Sequence, residues 1–239
     1  MAAIALTNVK LYAGGYDLTT DTNNAVLNFD SMTRDATTFG SNGWSEVKGT
    51  LKTTQLAYTG LWDASVDAEE YSGLGVANTV YTMAPTGTEG DVAYMFRATR
   101  SEYRLLDGQI GDLAAFNVTA AGSDGYGTIR GSLLKSKGNV SATGATGSVV
   151  QVGAVGASQY LYCALHVFSA GTTITVQVQS DDNAGMTSPT TRATFSGVTA
   201  AGGTWATRVA GAITDTYWRV NVSAITGTFQ IAAAVGVGS

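Results

Sequence analysis

The chain has 239 residues, 13 Lys and Arg against 18 Asp and Glu for a net charge of −5, and one cysteine, Cys163. The balance excludes the basic footprint that sequence-reading nucleic-acid binders need, and a lone cysteine excludes an intrachain disulfide. No apolar run reaches the ~18 residues of a membrane helix and no secretory leader pattern is visible, so the expected product is soluble or assembled in the cytosol, with no membrane partner.

Charge is unevenly spread. Residues 1–140 hold ten Lys/Arg against fifteen Asp/Glu, whereas residues 141–239 hold Arg192, Arg208 and Arg219 against Asp181, Asp182 and Asp215. A free monomer normally keeps interspersed charge on its surface. A second half without Lys or Glu is expected to be covered in Thr, Ser and Gly or to lie in contacts.

Alternation with period two, the mark of a half-buried strand, runs through the chain. Strands are expected over residues 8–13 and 24–29, where Ala25, Leu27 and Phe29 share a face. Residues 30–54 follow, a stretch rich in Gly, Thr and Ser that carries Phe39 and Trp44 and mixes Arg34 and Lys48 with Asp35 and Glu46. It reads as a long connection ahead of a strand over residues 51–59. Connections of this length are functional or disordered, and two large aromatics argue against disorder. They either dock on a neighbour or pin the loop to its own domain.

A single helix is expected next. Asp63 can cap it, acidic residues sit near its start, Ala64, Ala68 and Tyr71 share a face, and Gly73 and Gly75 end it. Further strands are expected over residues 91–99, 113–120, 127–134, 149–155, 159–168, 172–180, 192–195, 217–222 and 228–237. The Gly/Ser/Thr-rich residues 137–148 read as a linker between a first domain, residues 1–136, and a second lobe, residues 149–239. The fold class is mainly β: a sandwich or barrel-forming domain with one short helix, plus a second β-sandwich lobe.

Few residues suggest chemistry. Cys163 and His166 lie an odd number of positions apart on one strand, so their side chains point to opposite faces and cannot pair as nucleophile and base. The expected reading is a packed Cys and a half-buried His, with no catalytic residues and no cofactor. Asp181, Asp182 and Asn183, followed by Gly185, could offer oxygens to Ca²⁺, but the same residues make an ordinary polar turn, and no metal is expected. Asp107 and Asp112 read as turn residues. Arg104 and Arg100 are expected to pair with nearby acids such as Glu102, or with a neighbouring subunit, rather than with phosphate.

The order of these features resembles a known family. A strand ending in Phe29, the D-x-T-T-F-G stretch from Asp35 to Gly40, Trp44, Glu46 and Gly49, a further strand running into Trp62 and Asp63, an acidic helix, and then residues 84–106 are similar to the tail tube (major tail) proteins of long-tailed, non-contractile bacteriophages. The resemblance covers residues 1–135. The second half resembles, more loosely, β-sandwich modules appended to phage structural proteins, and its length departs from the minimal single-domain tube subunit.

The resemblance implies a structural protein of the virion tail, made in the host cytoplasm. Subunits of this family join as rings, expected to be hexamers, that give strands to a continuous inner barrel and stack into a tube. The expected partners are further copies of the chain and other tail proteins, with DNA passing non-specifically through the lumen during ejection. By the same match, Asp35, Thr37, Thr38, Phe39, Trp44 and Glu46 belong to a loop that stacks one ring on the next. Two other functions fit the residues: a different virion β-protein, such as a capsid decoration or tail-surface subunit, and a carbohydrate-binding module using Trp205, Trp218 and the tyrosines from Tyr160.

Overall fold

A computed structural model describes residues 5–105 and 108–239. The chain is mainly β, with antiparallel ladders. In chain order the elements are β1 (Lys10–Ala13), β2 (Tyr16–Asp17), β3 (Thr22–Asp35), β4 (Val47–Leu61), α1 (Ala64–Ser72), β5 (Thr79–Ala84), β6 (Val92–Leu105), β7 (Ala115–Gly122), β8 (Ile129–Val140), β9 (Gly144–Gln151), β10 (Tyr160–Ser169), β11 (Thr173–Asp181), β12 (Thr190–Val198), β13 (Gly202–Trp205), β14 (Val209–Ala210), β15 (Tyr217–Thr226) and β16 (Phe229–Gly238). Contacts divide the chain into two compact units. Unit one comprises residues up to 20, 79–97 and 128–239, and unit two comprises residues 21–78 and 98–127.

Unit one is a sandwich with a rolled first sheet. That sheet runs β13-β10-β16-β8-β6-β5-β1-β2, and the second runs β12-β11-β15-β9. Neither closes into a barrel. Alternation builds the core: Ile174, Val176 and Val178 of β11, and Trp218, Val220 and Val222 of β15, face Cys163, Leu165 and Val167 of β10 and Ile231, Ala233 and Val235 of β16. Trp218 is 0 % exposed, and its indole N–H donates to Gly153 O at 2.9 Å, so its one polar atom is satisfied inside. The other face of β10 and β16 is also covered, because the roll brings Tyr12, Val80 and Met95 against Tyr162, Ala164 and Ala234.

The expected linker, residues 137–148, takes a different form. It completes β8, turns, and begins β9. Glu89 accepts hydrogen bonds from Ser136 N (2.8 Å), Ser136 Oγ (2.9 Å) and Ser148 Oγ (2.8 Å), and Lys137 Nζ reaches Asp17 at 2.8 Å. The small residues that suggested a linker serve the turn and the β8–β9 crossing, where a Cβ on Gly147 would strike Leu134 O.

Unit two is a four-stranded sheet, β3-β4-β7 and residues 98–105 of β6, with α1 against one face. Asp63 caps α1 by accepting from Ser65 N at 2.7 Å and Val66 N at 2.9 Å. The helix buries Val66 and Glu70, while the face that carries Ala64, Ala68 and Tyr71 is exposed. Arg100 of β6 is the reason. Its guanidinium contacts Glu70 Oε2 at 3.3 Å and Glu69 Oε1 at 2.8 Å, and Tyr58 Oη donates to the Glu70 carboxylate at 2.9 Å. A second bond from Arg100 to Glu69 O satisfies a carbonyl in the last turn of α1. Gly73 leaves room for that guanidinium, because a Cβ there would overlap Arg100 Nη1.

Candidate functional site

The stretch expected to be one long loop is mostly strand. β3 continues to Asp35 and β4 begins at Val47, so only residues 36–46 connect them. The β4–β7 ladder stops at the Gln55–Ala121 pair. Beyond it, β3 and β4 pair with each other alone, through a register shift between Ser31 and Thr33, out to the Asp35–Val47 pair. Residues 30–53 therefore form a two-stranded arm. An isolated two-stranded ribbon is marginally stable in water.

The tip is well organised. Thr38 opens a 3-10 turn over Phe39–Ser41: its side chain accepts from Gly40 N, and its own N–H donates to Ser41 Oγ at 3.1 Å. Asn42 adopts a left-handed conformation at φ 50°, and Gly43 follows at φ 84°. Trp44 N then donates to Ser41 O at 2.9 Å. Across the base of the tip, Ala36 N donates to Glu46 O at 2.8 Å, and Glu46 N donates to Thr37 Oγ1 at 2.9 Å. Asp35 Oδ1 accepts from Thr37 N at 2.8 Å, and the bonds from Thr37 hold the Asp35 carboxyl below its ordinary range.

The backbone is satisfied and the large side chains are not. Phe39 is 110 % exposed and Trp44 is 81 % exposed, so neither pins the tip to its own domain. Val47 and Leu51 are also exposed on the arm, and every residue from 30 to 53 is exposed except Ala36 and Ser41. Of the six residues expected in the working loop, Asp35, Thr37, Thr38 and Glu46 shape the tip, and Phe39 and Trp44 are what it presents. Sequence reasoning missed Val47 and Leu51. It also missed Arg34 facing Lys48 across the ladder, which only the register reveals.

The other candidate residues are structural. Cys163 faces the sandwich core, and burial raises its thiol far above the ordinary range. His166 is fully buried rather than half-buried. Its Nδ1 donates to Gly14 O at 2.8 Å, Thr82 Oγ1 lies 2.8 Å from Nε2, and burial lowers its pKa to about 4, so it stays neutral. The Asp181 oxygens accept from Asn183 N at 3.0 Å and Ser188 N at 2.7 Å, and Asn183 Oδ1 accepts from Gly185 N at 2.7 Å. These atoms are engaged in a polar turn with Asp182. Among the described residues no three His, Cys, Asp or Glu cluster as a metal site. Trp218 and Tyr162 are inside, leaving Trp205 and Tyr160 only partly exposed, under Arg97 and Arg208 respectively. Arg104 pairs with Glu102 at 2.6 Å. Asp107 lies outside the described residues, and Asp112 accepts from Gln109 N at 2.9 Å in a turn.

No protein-family model and no curated protein matches the chain. Among solved structures, it is similar to a chain from the virion of the native gene transfer agent (GTA) particle, at 14 % identity and TM-score 0.43 over 53 % of this chain and 98 % of that one. It is similar to a chain from the tail of the empty GTA particle, refined with C6 symmetry, at 13 % identity and TM-score 0.39 over 49 % and 90 %. It is also similar to the SPP1 Dit (gp 19.1) protein of a phage hub adsorption apparatus, at 9 % identity and TM-score 0.37 over 97 % and 99 %.

Proposed function

We propose that the protein is a structural subunit of a bacteriophage tail tube, working in the virion by self-assembly rather than by catalysis. The observation that carries this reading is the uncovered arm, with an ordered backbone and its two largest side chains in water. Large exposed apolar surfaces on a soluble chain mark interaction sites, and buried aromatics dominate the energy of many interfaces. The residue pattern shared with tail tube proteins supplies the partner: further copies of the chain, in rings expected to be hexamers, stacked by the arm.

Sideways, β3 offers fourteen residues of strand paired only to β4 on one side. A free edge of that length templates pairing with another chain, and ring closure removes it. The acidic excess of the first half suits a lumen past which DNA slides without adhesion. Other tail proteins would cap the ends of such a tube.

Electron microscopy of the purified protein tests the reading. Hollow tubes of uniform diameter are the expected result. Trimers or pentamers that never stack would favour a capsid decoration subunit, and persistent monomers would overturn the assembly reading. Deleting residues 37–44 should leave folded protein that no longer stacks, and long tubes from that variant would remove the arm from the mechanism.

A further inference from the structure

We propose that Asn42 is a site of spontaneous deamidation, and that its conversion unlatches the turn that holds Trp44. The chemistry stands apart from any role of the arm. Its consequence for assembly rests on the reading of the arm as an assembly element.

Sequence and structure single out this residue. Of ten asparagines, nine are followed by a residue with a Cβ, and Asn42 alone is followed by glycine. A Cβ on the following residue crowds the backbone nitrogen that must attack the asparagine side chain. Asn42, Gly43 and Trp44 are all exposed, and a Cβ placed on Gly43 would meet nothing within 4 Å, so no neighbour shields its amide. Among the described residues no hydrogen bond holds Gly43 N or the Asn42 side chain.

The reaction needs only water. Gly43 N gives up its proton and attacks Asn42 Cγ. The N–Cγ bond forms, the Cγ–Nδ2 bond breaks, and the side-chain amide leaves as ammonia, taking up the displaced proton. Water then opens the five-membered imide. Attack at Cγ leaves aspartate. Attack at the Asn42 main-chain carbonyl leaves isoaspartate, whose backbone runs through Cβ and Cγ. Nothing is oxidised or reduced.

The native turn sets the pace. Asn42 (φ 50°, ψ 34°) and Gly43 (φ 84°) are the central residues of a mirror-image turn that Trp44 N closes on Ser41 O at 2.9 Å. At that ψ Gly43 N points away from the Asn42 side chain, so ring closure waits for the turn to open. The turn lies at the end of a two-stranded ribbon, where local opening costs little. Aspartate is tolerated in such a turn. Isoaspartate adds a backbone carbon between Ser41 and Trp44, so the ring closed by the 2.9 Å bond no longer fits and Trp44 is released.

Peptide mapping of the full chain tests the site. Trypsin cuts after Arg34 and Lys48, and peptide 35–48 contains Asn42 and no other Asn or Gln. In mildly alkaline buffer that peptide should gain about 1 Da, as aspartate and isoaspartate. It should convert at least ~tenfold faster than any peptide carrying another asparagine. Hydrogen exchange at Trp44 N should quicken in the converted fraction. Asn42→Gly keeps the positive φ and has no amide to lose, so its Trp44 exchange should not change through the same treatment. Conversion of peptide 35–48 no faster than the others overturns the site. Conversion that leaves Trp44 exchange unchanged overturns the unlatching. Neither readout needs assembly. Where fresh protein forms tubes, isoaspartate chains should be left out of them, and their uptake at the rate of fresh chains overturns the link to assembly. Fresh protein that never forms tubes overturns the tube reading and leaves the Asn42 site standing.

Discussion

The sandwich of unit one and the arm of unit two use the same kinds of residue in opposite ways. In the sandwich, Trp218 and Phe195 are inside, and the surface is Thr, Ser and Gln. On the arm, Phe39, Trp44 and Leu51 are outside, and the backbone of the tip is closed by its own hydrogen bonds. A core is stabilised by what it removes from water in one chain. The arm leaves the same kind of surface in water, where the proposed function needs it. The contrast teaches that apolar content alone does not locate the core; what covers a residue decides whether it serves the fold or the assembly.

The sharpest test on the fold side is Trp218→Ala. It empties a fully buried site and should cost about 3–5 kcal/mol in denaturant unfolding. A loss below about 1 kcal/mol would mean that the sandwich core is not closed around it. Next is Arg100→Met, which leaves Glu70 buried without its cation and should cost about 3 kcal/mol, read on unit two by hydrogen exchange at α1.

A smaller effect comes from Glu70 itself. Burial pushes its carboxyl up to about 7 against the pull of Arg100. The folded state then holds a proton that the unfolded state releases near 4.5, so stability is full below that value and falls as pH rises through about 7. Between pH 5 and pH 8 the wild type should lose on the order of 2 kcal/mol relative to Glu70→Gln. Parallel pH profiles of the two proteins would show that Glu70 does not hold the extra proton. The least effect on the fold, within about 0.5 kcal/mol, is expected for Phe39→Ala with Trp44→Ala. That double variant should nonetheless raise the concentration needed for assembly at least tenfold, roughly 1.4 kcal/mol, by light scattering. If it instead lowers the melting temperature and assembles normally, the two regions have exchanged roles.

Much of the sandwich was legible because one face of each strand is covered. Period two survives as alternating burial from Thr173 to Val178 in β11 and from Tyr217 to Val222 in β15. The same logic hid the arm. With neither face covered, residues 30–35 and 47–50 have no reason to alternate, and these parts of two strands read as a loop. The Asp63 cap was visible because capping is local, whereas the inward face of α1 was not. Glu70 turns inward for an arginine thirty positions later in the chain, and Ala64 and Ala68 are outside. His166 looked half-buried from its own strand, and the rolled sheet that covers it comes from residues 14 and 82. The tip aromatics were legible as exceptional residues, while the exposure that gives them meaning appears only in three dimensions.

The self-capped turn at Phe39–Ser41 has a kinetic consequence. A tip that is already shaped need not fold when it meets its site, so encounter need not wait for a slow ordering step. Under the proposed assembly, growth should then follow subunit concentration from the outset, and any lag should reflect closure of the assembly rather than ordering of the tip.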